Sequence, residues 1–148
     1  MPDAAIESRH LGLKTAGEIA DLQQKIQILT AAAQKNIDWP RLLALFDRPA
    51  PMAPAVQAAA PTVRIAVAQD EAFCFTYAET LESLQAAGAE LCYFSPLRDA
   101  ALPQHIGGLY LPGGYPELYA AQLAANTAMR CAINTAVQRG LPTVAECG

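Results

Sequence analysis

Val63-Arg64-Ile65-Ala66-Val67-Ala68 is a β-branched, apolar run of the length that suits a buried strand. The residues after it keep that beat. Beyond Phe73-Cys74-Phe75, a helix is expected from Ala78 to Ala87, with Gly88 as its C-cap. Ala89 to Phe94 predicts a second strand, which Ser95-Pro96-Leu97 breaks. Gly108-Leu109-Tyr110-Leu111 predicts a third, ending in Pro112-Gly113-Gly114. One helix then starts at Pro116. Another starts at Asn126 or Thr127, with Met129, Ile133 and Val137 on one face and Gly140 past its end. Thr143 to Glu146 predicts a fourth strand, read as buried. Apolar strands alternating with helices predict an α/β fold, a parallel sheet with right-handed crossovers.

Toward the N-terminus the rhythm breaks. Residues 47–62 carry Pro49, Pro51, Pro54 and Pro61 among alanines. Proline removes a backbone donor and pushes its neighbours to extended conformations, so this stretch reads as a semi-rigid linker and a domain boundary. Ahead of it, Thr15-Ala16-Gly17-Glu18 has capping-box spacing. Ile19, Leu22, Ile26 and Leu29 then place an apolar stripe on a helix of about five turns. Asp38-Trp39-Pro40 predicts a second helix start, carrying Leu42, Leu43, Leu45 and Phe46. Two such helices cannot make a core by themselves.

Composition narrows the function. The 148 residues are 53% hydrophobic and 16% charged, with a net charge of −4 and no Lys/Arg cluster, which argues against nucleic acid as a partner. No apolar stretch approaches the roughly 20 residues that span a bilayer, and no signal peptide is expected, so no membrane partner is expected either. Cys74, Cys92, Cys131 and Cys147 lack Cys-x-x-Cys pairing, and only His10 and His105 accompany them. No metal site is expected from them, and free thiols fit a cytoplasmic setting.

In an open parallel sheet, ligands bind beyond the carboxyl ends of the strands. Three features fall on that edge: residues 69–75, Pro112-Gly113-Gly114, and Cys147 followed by Gly148. A strand delivering a cysteine and then glycine has the form of a nucleophile elbow, although a buried strand-end cysteine would look the same. Gly113 and Gly114 either turn their N–H groups on an oxyanion or make a tight turn at positive φ.

Phe73-Cys74-Phe75-Thr76-Tyr77, Phe94-Ser95-Pro96-Leu97-Arg98-Asp99, the segment from Gly108 to Glu117, and Ala145-Glu146-Cys147-Gly148 together resemble the cobyrinic acid a,c-diamide synthases, corrinoid glutamine amidotransferases. Arg9-His10-Leu11-Gly12-Leu13 resembles a signature near the end of that family's ATP-binding domain. The resemblance implies a flavodoxin-like, triad-type amidotransferase sheet, incomplete here. It implies residues 1–48 as the last helices of a dethiobiotin synthetase-like ATP-binding domain, 49–61 as the linker, and 62–148 as the first half of the amidotransferase domain. It makes Cys147 the glutaminase nucleophile, with Gly113, Gly114 and the Gly148 N–H around the oxyanion. Tyr115 and Glu117 shape the glutamine pocket, or Pro116 and Glu117 simply open a helix. Glutamine and a corrinoid are the implied substrates. ATP and Mg2+ are implied for the whole enzyme, with none expected on this chain.

The match has departures. Pro112 stands where the family more often has glycine, and neither His10 nor His105 matches the family's catalytic histidine, expected beyond Gly148. The phosphate-binding loop is expected ahead of this chain. This segment alone is therefore expected to be inactive, and its open sheet edge is expected to favour homo-oligomers. The alternatives are a related corrinoid or nickel-tetrapyrrole amidase, or a non-catalytic flavodoxin-like binding module.

Overall fold

The computed structural model describes residues 2–7, 14–47 and 60–147, and the chain divides into two compact units, Met1–Ala53 and Pro54–Gly148. The Arg9–Leu13 run and nearly all of the proline-rich stretch lie outside the described residues.

In the first unit the capping box forms. The Glu18 carboxylate accepts from the Thr15 N–H at 2.7 Å and the Thr15 hydroxyl at 2.6 Å. It caps only a three-residue 3-10 turn, Ala16–Glu18, because the backbone turns extended at Ile19. The long helix, α1 (Leu22–Asn36), starts later and is shorter than the capping-box spacing predicted. Gly17 lends that first turn little helical preference, so local capping does not propagate. α2 (Trp39–Leu43) starts as expected: Asp38 Oδ1 accepts from the Arg41 N–H at 3.2 Å. Leu45 and Phe46 fall in the turn beyond it rather than on the helix. No described residue of this unit is buried, and Ile26, Leu29, Leu43 and Phe46 present apolar surface.

The second unit is an α/β sheet. β1 (Val63–Ala68), β2 (Ala89–Phe94), β3 (Gly108–Leu111) and β4 (Thr143–Ala145) are all parallel, in the order β2-β1-β3-β4. This is the flavodoxin-like order as far as four strands take it. Ala66 sits opposite both Cys92 and Leu109, making β1 an interior strand of the sheet, as β3 is. The first three strands fall where the apolar runs place them. Ala66, Ala68, Phe94 and Leu109 form one buried cluster with Met129, which comes from α5 (Thr127–Gln138). Alanines on β1 leave room for that long side chain, whose burial contributes about 2 kcal/mol. The α5 stripe weakens along its length: Met129 is buried, Ile133 half-buried, and Val137 exposed.

α3 (Ala78–Ala86) ends at Ala87, and Gly88 follows at φ 93°, the left-handed C-terminal position predicted for it. On the other face of the sheet from Met129, Ile65, Tyr110, Val144 and Glu146 line a cavity of about 660 Å³ beside Leu84 of α3.

Two expectations need correction. Pro116 opens a 3-10 segment, Pro116–Tyr119, and α4 begins only at Ala120 (Ala120–Ala125). β4 is exposed along its whole length, not buried, because among the described residues it is the last strand of the sheet and pairs on one side only. An apolar run reports a tolerance for burial; the neighbours decide whether burial happens.

Candidate active site at the carboxyl edge of the sheet

With strand order β2-β1-β3-β4, the connections leave β1 and β3 in opposite directions, and the crevice between their carboxyl ends is the topological switch point. The loops after β1 and β3 meet there. The Phe75 N–H donates to the Gly113 carbonyl at 2.9 Å, and the Tyr115 N–H to the Ala72 carbonyl at 3.0 Å. The Phe75 and Tyr115 rings pack edge to face, with centroids 4.8 Å apart.

Cys147 comes to this crevice from β4. The ladder runs one residue past the strand, the Glu146 N–H donating to the Leu111 carbonyl at 3.0 Å. The chain then turns sharply, and Cys147 takes φ 61°, a left-handed conformation that costs a residue with a side chain roughly 1–2 kcal/mol. The turn leaves its thiol exposed. A Cβ placed on Gly113 would lie 3.0 Å from Cys147 Cβ and 3.6 Å from Sγ, so the Gly113 backbone and the thiol are neighbours. Gly114 is constrained harder, since a Cβ there would lie 2.0 Å from the Ala72 carbonyl oxygen. Neither glycine has positive φ. What both positions require is room, Gly113 against the Cys147 and Phe75 side chains and Gly114 against the backbone of the loop after β1, rather than the positive-φ tight turn that the sequence also allowed. The Gly114 N–H has no hydrogen-bond acceptor among the described residues.

The remaining expected residues separate. Tyr115 is buried beneath the turn, its ring held against Phe75. Glu117 is exposed in the first turn of the 3-10 segment, where an acid suits a helix start. Gly148 and His10 lie outside the described residues. His105, at φ 57°, precedes β3 and so sits at the amino edge of the parallel sheet, the edge away from Cys147.

Residues 64–148 match the model of the CobB/CobQ-like glutamine amidotransferase domain. The chain belongs to this amidotransferase family. It is 47% identical to the cobyrinate a,c-diamide synthase of Dehalococcoides mccartyi over 99% of this chain and 33% of that protein. It is 44% identical to the cobyrinate a,c-diamide synthase of a Synechocystis strain, over 99% of this chain and 31% of that protein. It is 46% identical to the hydrogenobyrinate a,c-diamide synthase of Pseudomonas aeruginosa, over 97% and 32%. The chain thus spans about a third of the length of the curated relatives it matches. No solved structure matches it significantly.

Within this amidotransferase sheet, three supports escaped the sequence reading. Tyr110 donates its phenol to Glu146 Oε2 at 2.9 Å, anchoring the residue just before the cysteine. Burial first, and then the Glu146 carboxylate, push the Tyr110 pKa up to about 12, so the phenol stays protonated and donating at neutral pH. Asp70 gathers the loop after β1, and Ser95 and Asp99 close the turn after β2, the Ser95 N–H donating to Asp99 Oδ2 at 2.7 Å. The Asp-x-x spacing after a strand was the available signal, an Asx turn. Arg98 pairs with Glu71 at 2.6 Å, and its hydrogen bond holds the Glu71 carboxyl below the usual carboxylate range. Both side chains are more than half exposed, so the pair contributes little to stability.

Among the described residues no group of three or more His, Cys, Asp or Glu side chains is placed to hold a metal ion. No helix among the described residues is long and apolar enough to cross a membrane.

Proposed function

We propose that this chain carries the glutaminase elbow of an enzyme that uses glutamine to amidate the a and c carboxylates of cobyrinic or hydrogenobyrinic acid, a step in cobalamin biosynthesis. One observation carries the reading: Cys147 is held at positive φ at the carboxyl end of β4, with its thiol beside the Gly113 backbone. Backbone strain of this kind persists where the surroundings impose it, and nucleophile elbows are such places. Membership of the amidotransferase family and the names of the relatives support the substrate assignment.

In this reading the Cys147 thiolate attacks the side-chain amide carbon of glutamine. The carbonyl oxygen takes negative charge in the tetrahedral intermediate and is met by the Gly114 N–H, with the Gly148 N–H as second donor. Ammonia leaves, a γ-glutamyl thioester remains on sulfur, and water hydrolyses it to glutamate. His105 is at the wrong edge of the sheet to serve as base, so the base, the nucleotide and the corrinoid contacts are assigned to the rest of the full-length protein.

The test uses that full-length protein with ATP, Mg2+, cobyrinic acid and either glutamine or ammonia as nitrogen donor, so that phosphate from ATP carries off the carboxylate oxygen that ammonia replaces. Cys147→Ala should abolish glutamine-dependent amidation and leave the ammonia-dependent rate intact. Retained glutamine-dependent turnover would refute the assignment. The chain by itself should release no ammonia from glutamine above its own Cys147→Ala control.

A further inference from the structure

We propose that Asp70 is a positioning residue for the oxyanion turn, an inference that rests on the amidotransferase reading above. Its carboxylate has four donors. Oδ1 accepts from the Ala72 N–H at 2.9 Å and the Phe73 N–H at 3.1 Å. Oδ2 accepts from the Ser95 hydroxyl at 2.8 Å and the Leu97 N–H at 2.9 Å. One oxygen therefore shapes the loop after β1, and the other ties that loop to the turn after β2. Ser95 is buried and its hydroxyl also accepts from the Arg98 N–H at 3.2 Å, so the tie ends on a fixed point.

The consequence lies at Ala72. That residue is fully buried, and its carbonyl oxygen accepts from the Tyr115 N–H and fills the space that a side chain on Gly114 would need. Displacing Ala72 moves the Gly113-Gly114 backbone, which has no side chain to buffer the shift. Asp70 thus sets where the Gly114 N–H points without touching the substrate itself. It also gives the Phe94–Asp99 segment a physical role: Ser95 and Leu97 supply the donors that hold Asp70.

The experiment measures glutamine-dependent and ammonia-dependent amidation in the full-length protein. Asp70→Asn keeps an oxygen for Ala72 and Phe73 but turns an amide toward the Leu97 N–H. It should lower kcat with glutamine by roughly 100-fold, the scale of one misplaced oxyanion donor, with the ammonia-dependent rate unchanged. KM for glutamine should stay within about threefold, since ground-state binding is not what the turn provides. Ser95→Ala removes a single donor and should show the same pattern at about fivefold. Should Asp70→Asn not fold, Ser95→Ala decides by the same criteria. A parallel fall in both rates would reduce Asp70 to general scaffolding and overturn the proposal, as would two unchanged rates. Cys147→Ala, run alongside, separates the two claims. If it is inactive with glutamine while Asp70→Asn matches wild type, only the Asp70 proposal fails. If it keeps its glutamine-dependent rate, the amidotransferase reading fails and takes the proposal with it.

Discussion

At Cys147 the backbone holds a conformation that a side chain resists, and that resistance is measurable. Glycine at φ 61° carries no Cβ penalty, whereas alanine keeps it. Cys147→Gly should therefore be more stable than Cys147→Ala by about 1 kcal/mol in denaturant unfolding, although both lack the thiol. An alanine variant at least as stable as the glycine one would mean that the turn is not strained. The cysteine and its edge of the sheet were legible from sequence, because a short apolar run ending in Cys-Gly is a local pattern. The reason for Gly113 and Gly114 was not legible. Positive φ is a property of the residue itself, but the 2.0 Å that would separate a Gly114 Cβ from the Ala72 oxygen is a property of two loops 42 positions apart and appears only once they meet.

Among the elements, α5 is fastened by one residue doing two jobs. Asn126 Oδ1 accepts from the Met129 N–H at 3.3 Å, capping the helix, while its Nδ2 donates to the carbonyls of Pro96 and Asp99 at 2.9 Å each. Asn126→Ala should cost about 2 kcal/mol in chemical denaturation, at the upper end for an N-cap because two carbonyls also lose a donor. Asn126→Asp keeps the cap but sets a carboxylate against those carbonyls. It should fail to restore stability, and full restoration would show that capping alone matters. The cap itself was readable from Asn-Thr before an apolar stripe. The grip on the turn after β2 was not, nor was the break after the capping box at Thr15, where a correct local signal ends after one turn.

For the molecule as a whole, the β4 edge is the exposed feature with consequences. Val144 is 57% exposed, and among the described residues β4 has no strand on its outer side. Open edges template pairing with another chain, so the isolated chain should show concentration-dependent association in sedimentation, and Val144→Lys should suppress it. A wild-type chain that stays monomeric at high concentration would count against this. The order of residues was enough to establish the alternation of strands and helices, the carboxyl edge of the sheet that holds the candidate site, and the cysteine that follows the fourth strand. Those features rest on hydrophobic period and turn residues, which act over a few positions. It took the folded chain to show that β4 is exposed, that Gly114 lies under Ala72, that His105 sits at the far edge from Cys147, and that Asp70 joins the loops after β1 and β2. Each of these depends on which distant segments become neighbours, and that follows from strand order rather than from any local run of residues.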